Sequence, residues 1–161
     1  DFLTEDDNPH LQEHSIEVQL PFLQSVLKEF TFLPISLSHL SEAECAQLGQ
    51  AVARAYETAS AAGKKTIFIA SSDLSHYLSP DETERLDKMA LDQVVALNPS
   101  GLLKTVEDEE ISMCGVIPTA VFLFAAQALG VKKARLLKHC HSGDAEPMAE
   151  VVGYTSVAVG F

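Results

Sequence analysis

The chain has 161 residues and a mass of 17.4 kDa, with 47% hydrophobic residues and a mean hydropathy of +0.10. That is enough for one domain with a sizeable core and too apolar for a disordered tail. Basic residues number 11 and acidic ones 23, so the net charge is −12 and the pI is about 4.7. Such acidity argues against nucleic acid and anionic membrane as partners, and no apolar run reaches the ~20 residues of a membrane span.

In chain order, residues 1–8 read as an acidic loop. A turn follows over His14–Gln19, then a helix over Pro21–Glu29, with Pro21 in the first turn where proline is tolerated. TFLPISL (31–37) reads as a short strand weakened by Pro34. Ser41 with Glu44 forms a capping box that opens a helix ending at Gly63. KTIFIA (65–70) reads as a buried strand, SSDLSHYLSP (71–80) as a polar loop after it, and Pro80–Leu97 as an amphipathic helix. Ser100–Val106 and Gly115–Leu129 are further helices, the second stopped by Gly130. Ala134–Cys140 and Val151–Phe161 are the last strands, with the loop HSGDAEP between them. Strands alternating with helices predict an α/β fold: a mainly parallel sheet with helices on both faces, in one domain over residues 1–161.

The three cysteines, Cys45, Cys114 and Cys140, cannot all pair and form no CxxC. Reduced thiols and a cytoplasmic location are expected, and no signal peptide is evident. The chain starts at Asp1 rather than at a methionine, as a fragment or a processed chain would.

Ligands of α/β sheets bind at the carboxyl ends of strands, and two loops qualify. In SSDLSH, Asp73 and His76 lie three apart, so Asp73 could orient the imidazole for general base work or metal ligation. Capping of the next helix by Ser71, Ser72 and Asp73 is the structural alternative. In KHCHSGD, His139, Cys140, His141 and Asp144 resemble a metal cluster, but neighbours along a strand face opposite ways, which leaves Asp144 as the more credible single ligand. EHSIE adds Glu13, His14 and Glu17 on a turn, where ordinary capping is the leading account. Cys114 sits at a helix start, where the dipole favours a thiolate, although a structural cysteine is commoner. The run Glu107–Glu110 reads as a solvated loop, and His10 and His39 have no evident partner.

EHSIEVQLPFL, FIASSDLSHY, MCGVIPTAV and HSGD with VVGYTSVAV, in that order, resemble the Memo family, of the kind called AmmeMemoRadiSam system protein B. The resemblance implies a fold related to class III extradiol dioxygenases and a metal, Fe(II) first and copper as the alternative. It assigns His76 to the active-site histidine, both catalytic and metal-binding. Asp144 falls on the third-ligand position, a cysteine in the animal Memo protein, and Asp73 and His14 would line the same pocket. AMMECR-type and radical-SAM proteins are the implied partners, with a small molecule or peptide as ligand. The family's other two ligand histidines lie in N-terminal motifs such as PHAGY and GPSHH, which do not occur here. The chain is therefore expected to be the C-terminal portion, with half a site, no tight metal site of its own and uncovered apolar surface. A binding module using the same pocket without turnover is the competing expectation.

Overall fold

The computed structural model describes residues 3–160 and divides into two compact units, one running to His39 and the other from Leu40. In the first unit, short 3-10 turns at Asn8–His10 and Glu17–Gln19 precede α1, Leu20–Val26. Pro21 lies in the first turn of α1, as predicted, where its missing N–H deprives the helix of nothing. The helix ends before the expected Glu29. No strand forms over residues 31–37. Pro34 cannot donate to a ladder there, and Leu33 is exposed.

The second unit holds four helices: α2 (Glu42–Ala61), α3 (Pro80–Val95), α4 (Pro99–Asp108) and α5 (Val116–Ala128). Each of the first three starts on a local signal. The capping box of α2 is formed in both directions, Ser41 N–H donating to Glu44 Oε2 (2.8 Å) and Glu44 N–H to Ser41 Oγ (3.4 Å). Ser79 and Asn98 cap α3 and α4, each followed by proline. The acidic run expected to be a loop instead closes α4 with Glu107 and Asp108. Only Thr119 and Gln127 interrupt the apolar sequence of α5, and a helix apolar all round must be covered all round. It packs between α2 and α4, and α4 in turn lies on α3. Leu86, Ala90, Leu91 and Val94 form one stripe of α3 and bury against Leu74, Leu102 and Leu123. Each such leucine contributes roughly 1.5–3 kcal/mol by leaving water. Among the described residues no helix is long and apolar enough to cross a membrane.

The sheet corrects the expectation. Its strands are β1 (His76–Leu78), β2 (Ala134–His141) and β3 (Val151–Val159), in the order β1-β3-β2, and both pairings are antiparallel. The physical reason is the connection. Only residues 142–150 separate β2 from β3, too short a link for the crossover a parallel pair needs. The strand expected at residues 65–70 does not form, and Ile67 and Ile69 are 70% and 49% exposed. β-branched residues favour an extended chain, but a strand also needs a neighbour's backbone. The strand in this region instead starts at His76, inside the segment read as a loop. α3 packs against both β2 and β3.

Candidate metal centre

The segment Ser71–His76 is held at both ends. At its start, Gly115 N–H donates to Ser72 Oγ (2.8 Å), and Asp73 N–H donates to Cys114 Sγ (3.3 Å). This seats the segment on the residues that lead into α5, and the approach demands a glycine. A Cβ on Gly115 would lie 2.5 Å from Ser72 Cβ and 2.6 Å from the Ser71 carbonyl. At its end, Leu74 N–H donates to Gly153 O, and Gly153 N–H donates to Ser75 O, both at 2.9 Å. His76 opens β1 opposite Val152. Tyr77 then takes a left-handed conformation, φ +58°, at a break in register between His76 and Leu78. A bulged, positive-φ tyrosine is an uncommon expense, of the kind that re-aims a neighbouring side chain.

His76 is anchored by Ser112. Its backbone N–H donates to Ser112 Oγ (2.8 Å), and its ring Nδ1 lies 2.7 Å from the Ser112 carbonyl. A carbonyl only accepts, so Nδ1 carries a proton, and in the neutral ring Nε2 keeps its lone pair. Asp73 Oδ2 stands 3.6 Å from that Nε2, beyond hydrogen-bond length. The orienting partner of the imidazole is thus the Ser112 carbonyl, not Asp73 as the spacing suggested. Metal-binding histidines are commonly held in this way, the far nitrogen donating to a carbonyl.

Asp73, His76 and Cys114 together offer a carboxylate oxygen, an imidazole nitrogen and a sulfur, all within 4.8 Å of one another. Atoms of these three types within that span could share one cation, once the thiol has given up its proton. Tyr154 on β3, 41% exposed, feels the charge of Asp73. Its phenol is pushed above the usual tyrosine range by burial and by the negative charge of Asp73, with smaller effects from Cys140 and Tyr77.

The other expected residues are placed as follows. Asp144 ends a single 3-10 turn, Ser142–Asp144; its Oδ2 accepts from His141 N–H (3.0 Å), and its Oδ1 is 3.7 Å from His141 Nε2. It is not one of the three convergent donors. His14 lies in the first unit, its Nδ1 3.3 Å from Glu17 Oε2, with both side chains largely exposed. Beside it, burial acts to raise the Glu13 carboxyl, but bonds from the Ser15 hydroxyl and the N–H groups of Ile16 and Ser15 outweigh it and hold the pKa low. Glu13 is therefore the cap of its turn. His139 is turned toward Asp87, at 2.8 Å. A cavity of about 350 Å³ in the first unit, bordered by Leu20, Leu27, Phe30 and Phe32, is lined by none of the expected site residues.

Sequence reasoning treated Cys114 as a lesser feature and passed over Ser112, although both lie in SMCG. A thiol directly before a glycine and a helix start was the available signal. Nothing local linked it to Asp73, 41 residues away.

Fold and geometry together define a small mixed α/β protein whose loops gather nitrogen, oxygen and sulfur, the donor types that transition metals take. Residues 1–158 match the Memo family, described as Memo-like protein, and the chain belongs to that family. It is 36% identical over 157 residues to the MEMO1 family protein MK0963 of Methanopyrus kandleri, covering 96% of this chain and 54% of the relative. It is 37% identical over 155 residues to a MEMO1 family protein of Methanococcoides burtonii, covering 96% and 58%. A third, from Sulfolobus acidocaldarius, is 38% identical over 157 residues, covering 96% and 54%. The chain thus spans a little over half the length of these relatives.

Proposed function

We propose that this chain contributes His76, Asp73 and Cys114 to a Memo-family redox centre that holds Fe(II), with copper as the alternative. The observation that carries this reading is the 2.7 Å approach of the His76 Nδ1 to the Ser112 carbonyl. His76 spends its Nδ1–H there, and its Nε2 converges with Asp73 and Cys114. Imidazole and carboxylate suit iron, and the sulfur adds affinity for softer copper. A bound ion of either kind would supply one-electron chemistry toward oxygen or a reducible ligand. The chain's own residues do the rest. Asp73 presents negative charge to the ion, and Ser112 prevents the imidazole from flipping. Without metal, Nε2 is the atom of His76 that takes up or gives back a proton, so ligation and acid–base work exclude each other at any moment.

Asp144 enters the reading as a further carboxylate ligand and His14 as a pocket residue, on the strength of the family resemblance. The relation to class III extradiol dioxygenases, and further ligands from the part of the relatives' length that this chain does not span, belong to the same proposal. Three partly exposed donors would bind an ion reversibly rather than tightly. The test is a titration of the chain with Co(II), a spectroscopic substitute for iron. One ion per chain is expected, with a thiolate-to-cobalt charge-transfer band. Cys114→Ser should abolish the band, and His76→Ala should abolish specific binding. Equal binding by His76→Ala would remove the centre from this loop.

A further inference from the structure

Asp87 is a carboxylate with no accessible surface, in the middle of α3, and the centre described above does not use it. Burying a charge is costly unless hydrogen bonds compensate it. Two do. Oδ1 accepts from the Ser75 N–H at 2.9 Å, and Oδ2 accepts from His139 Nε2 on β2 at 2.8 Å. Gly153 on β3 closes the niche, since a Cβ there would collide with the carboxylate. The Asp87 side chain therefore ties together α3, β2 and the residue directly before His76.

Ser75 shows what the bond is for. Its N–H goes to Asp87 and its carbonyl to Gly153 N–H, while its own hydroxyl is buried without a hydrogen-bond partner. An unsatisfied buried hydroxyl costs about 1–3 kcal/mol. The backbone at Ser75 is thus set by its two main-chain bonds, against the preference of its side chain. The next residue is His76, and the one after carries the left-handed φ.

We infer that the pair of buried Asp87 and partly exposed His139 is the positioning device of the centre: His139 holds the Asp87 carboxylate, Asp87 holds Ser75, and Ser75 sets the aim of His76 at the Ser112 carbonyl. Asp87 and His139 are positioning residues and touch no ligand. The inference rests on the proposed role of His76 as a ligand, but part of its test does not.

The experiment uses the whole chain with two readouts. The first is the ¹⁵N spectrum of the His76 ring without metal, which reports whether Nδ1–H is the single tautomer. The second is Co(II) affinity. In Asp87→Ala, the Ser75 N–H loses its acceptor, so His76 should become a mixture of tautomers and Co(II) affinity should fall about 10- to 100-fold, the usual effect of removing a ligand's supporting partner. Asp87→Asn keeps an oxygen for the Ser75 N–H and should retain the single tautomer. Leu48→Ala, a core truncation on α2 outside the cluster that holds Leu74, should lower Tm without moving the tautomer, which separates positioning from general destabilisation. If Asp87→Ala does not fold, His139→Ala decides, because it frees the carboxylate without removing the buried acceptor; a tautomer mixture in it supports the device. A folded Asp87→Ala, or in its place His139→Ala, with an unchanged His76 tautomer overturns the inference. Should the native chain bind no Co(II), the metal reading fails while the tautomer comparison still decides the positioning role.

Discussion

Gly115→Ala tests the close seat of the Ser71–His76 segment on the start of α5. The added methyl would stand 2.5 Å from Ser72 Cβ and 2.6 Å from the Ser71 carbonyl oxygen. Ordinary contact begins at 3.4 Å, so the segment must retreat by about 1 Å or the helix start must shift by as much. The neighbouring atoms are a Cβ and a backbone carbonyl, not the end of a flexible chain, so the retreat moves main chain. Overpacking of this kind costs about 1–3 kcal/mol. The bond from Gly115 N–H to Ser72 Oγ goes with it, at about 1 kcal/mol. The sum is about 2–4 kcal/mol. For a chain of this size each kcal/mol is worth roughly 2–4 °C in Tm, so thermal unfolding should fall by about 4–16 °C. The same retreat separates Asp73 from Cys114, whose sulfur accepts the Asp73 N–H. Loss of the thiolate-to-cobalt band should therefore accompany the loss of stability. A Tm within about 2 °C of native, together with an intact cobalt band, would refute the close approach and, with it, the convergence of the three donors.

Two further outcomes follow from the charges around the centre. Asp144→Ala should lower metal affinity about tenfold if Asp144 is a ligand, and Asp144→Cys should retain binding with a shift toward Cu(I); a fall in Tm with unchanged affinity would leave Asp144 as the cap of its own turn. Burial and the charge of Asp73 both disfavour the Tyr154 phenolate, so its ionisation should come at higher pH than an ordinary tyrosine. The sign for stability follows: the unfolded chain loses this proton first, so the contribution is complete below the ordinary tyrosine pKa and is lost as pH rises through the folded one. Ultraviolet titration should lose its latest step in Tyr154→Phe, and Asp73→Asn should move that step to lower pH. A step unmoved by Asp73→Asn would show that the carboxylate does not face the phenol.

What was legible beforehand was local. The capping box Ser41–Glu44, the proline in the first turn of α1 and the start of α3 at Pro80 all appear where they are expected. Each joins groups no more than four positions apart, and such groups meet whatever the rest of the chain does. The apolar run of α5 announced a buried helix for a similar reason, since no face of it suits water. Family membership was legible too, because motifs such as SSDLSH are read directly as strings of residues.

Strand pairing and the centre itself were decided by the tertiary structure. KTIFIA has the composition of a strand, yet it forms none among the described residues, whereas HYL, at the end of a polar stretch, finds Val151 and Val152 opposite it and becomes one. Composition sets a residue's preference for an extended backbone, but a ladder needs a second backbone at the right distance, and only the packed chain brings it. The same holds for chemistry. Asp73 and His76, three apart, looked like a hydrogen-bonded pair; in the fold Asp73 Oδ2 stands 3.6 Å from His76 Nε2, and the imidazole turns to a carbonyl 36 residues away. Asp87 and His139 are 52 residues apart, and no local pattern links them. Sequence spacing determines which side chains can meet along one element. Which lone pair is left free at His76 depends on partners delivered from α3, β2 and β3 and from the segment before α5, and their placement is a property of the whole packed unit.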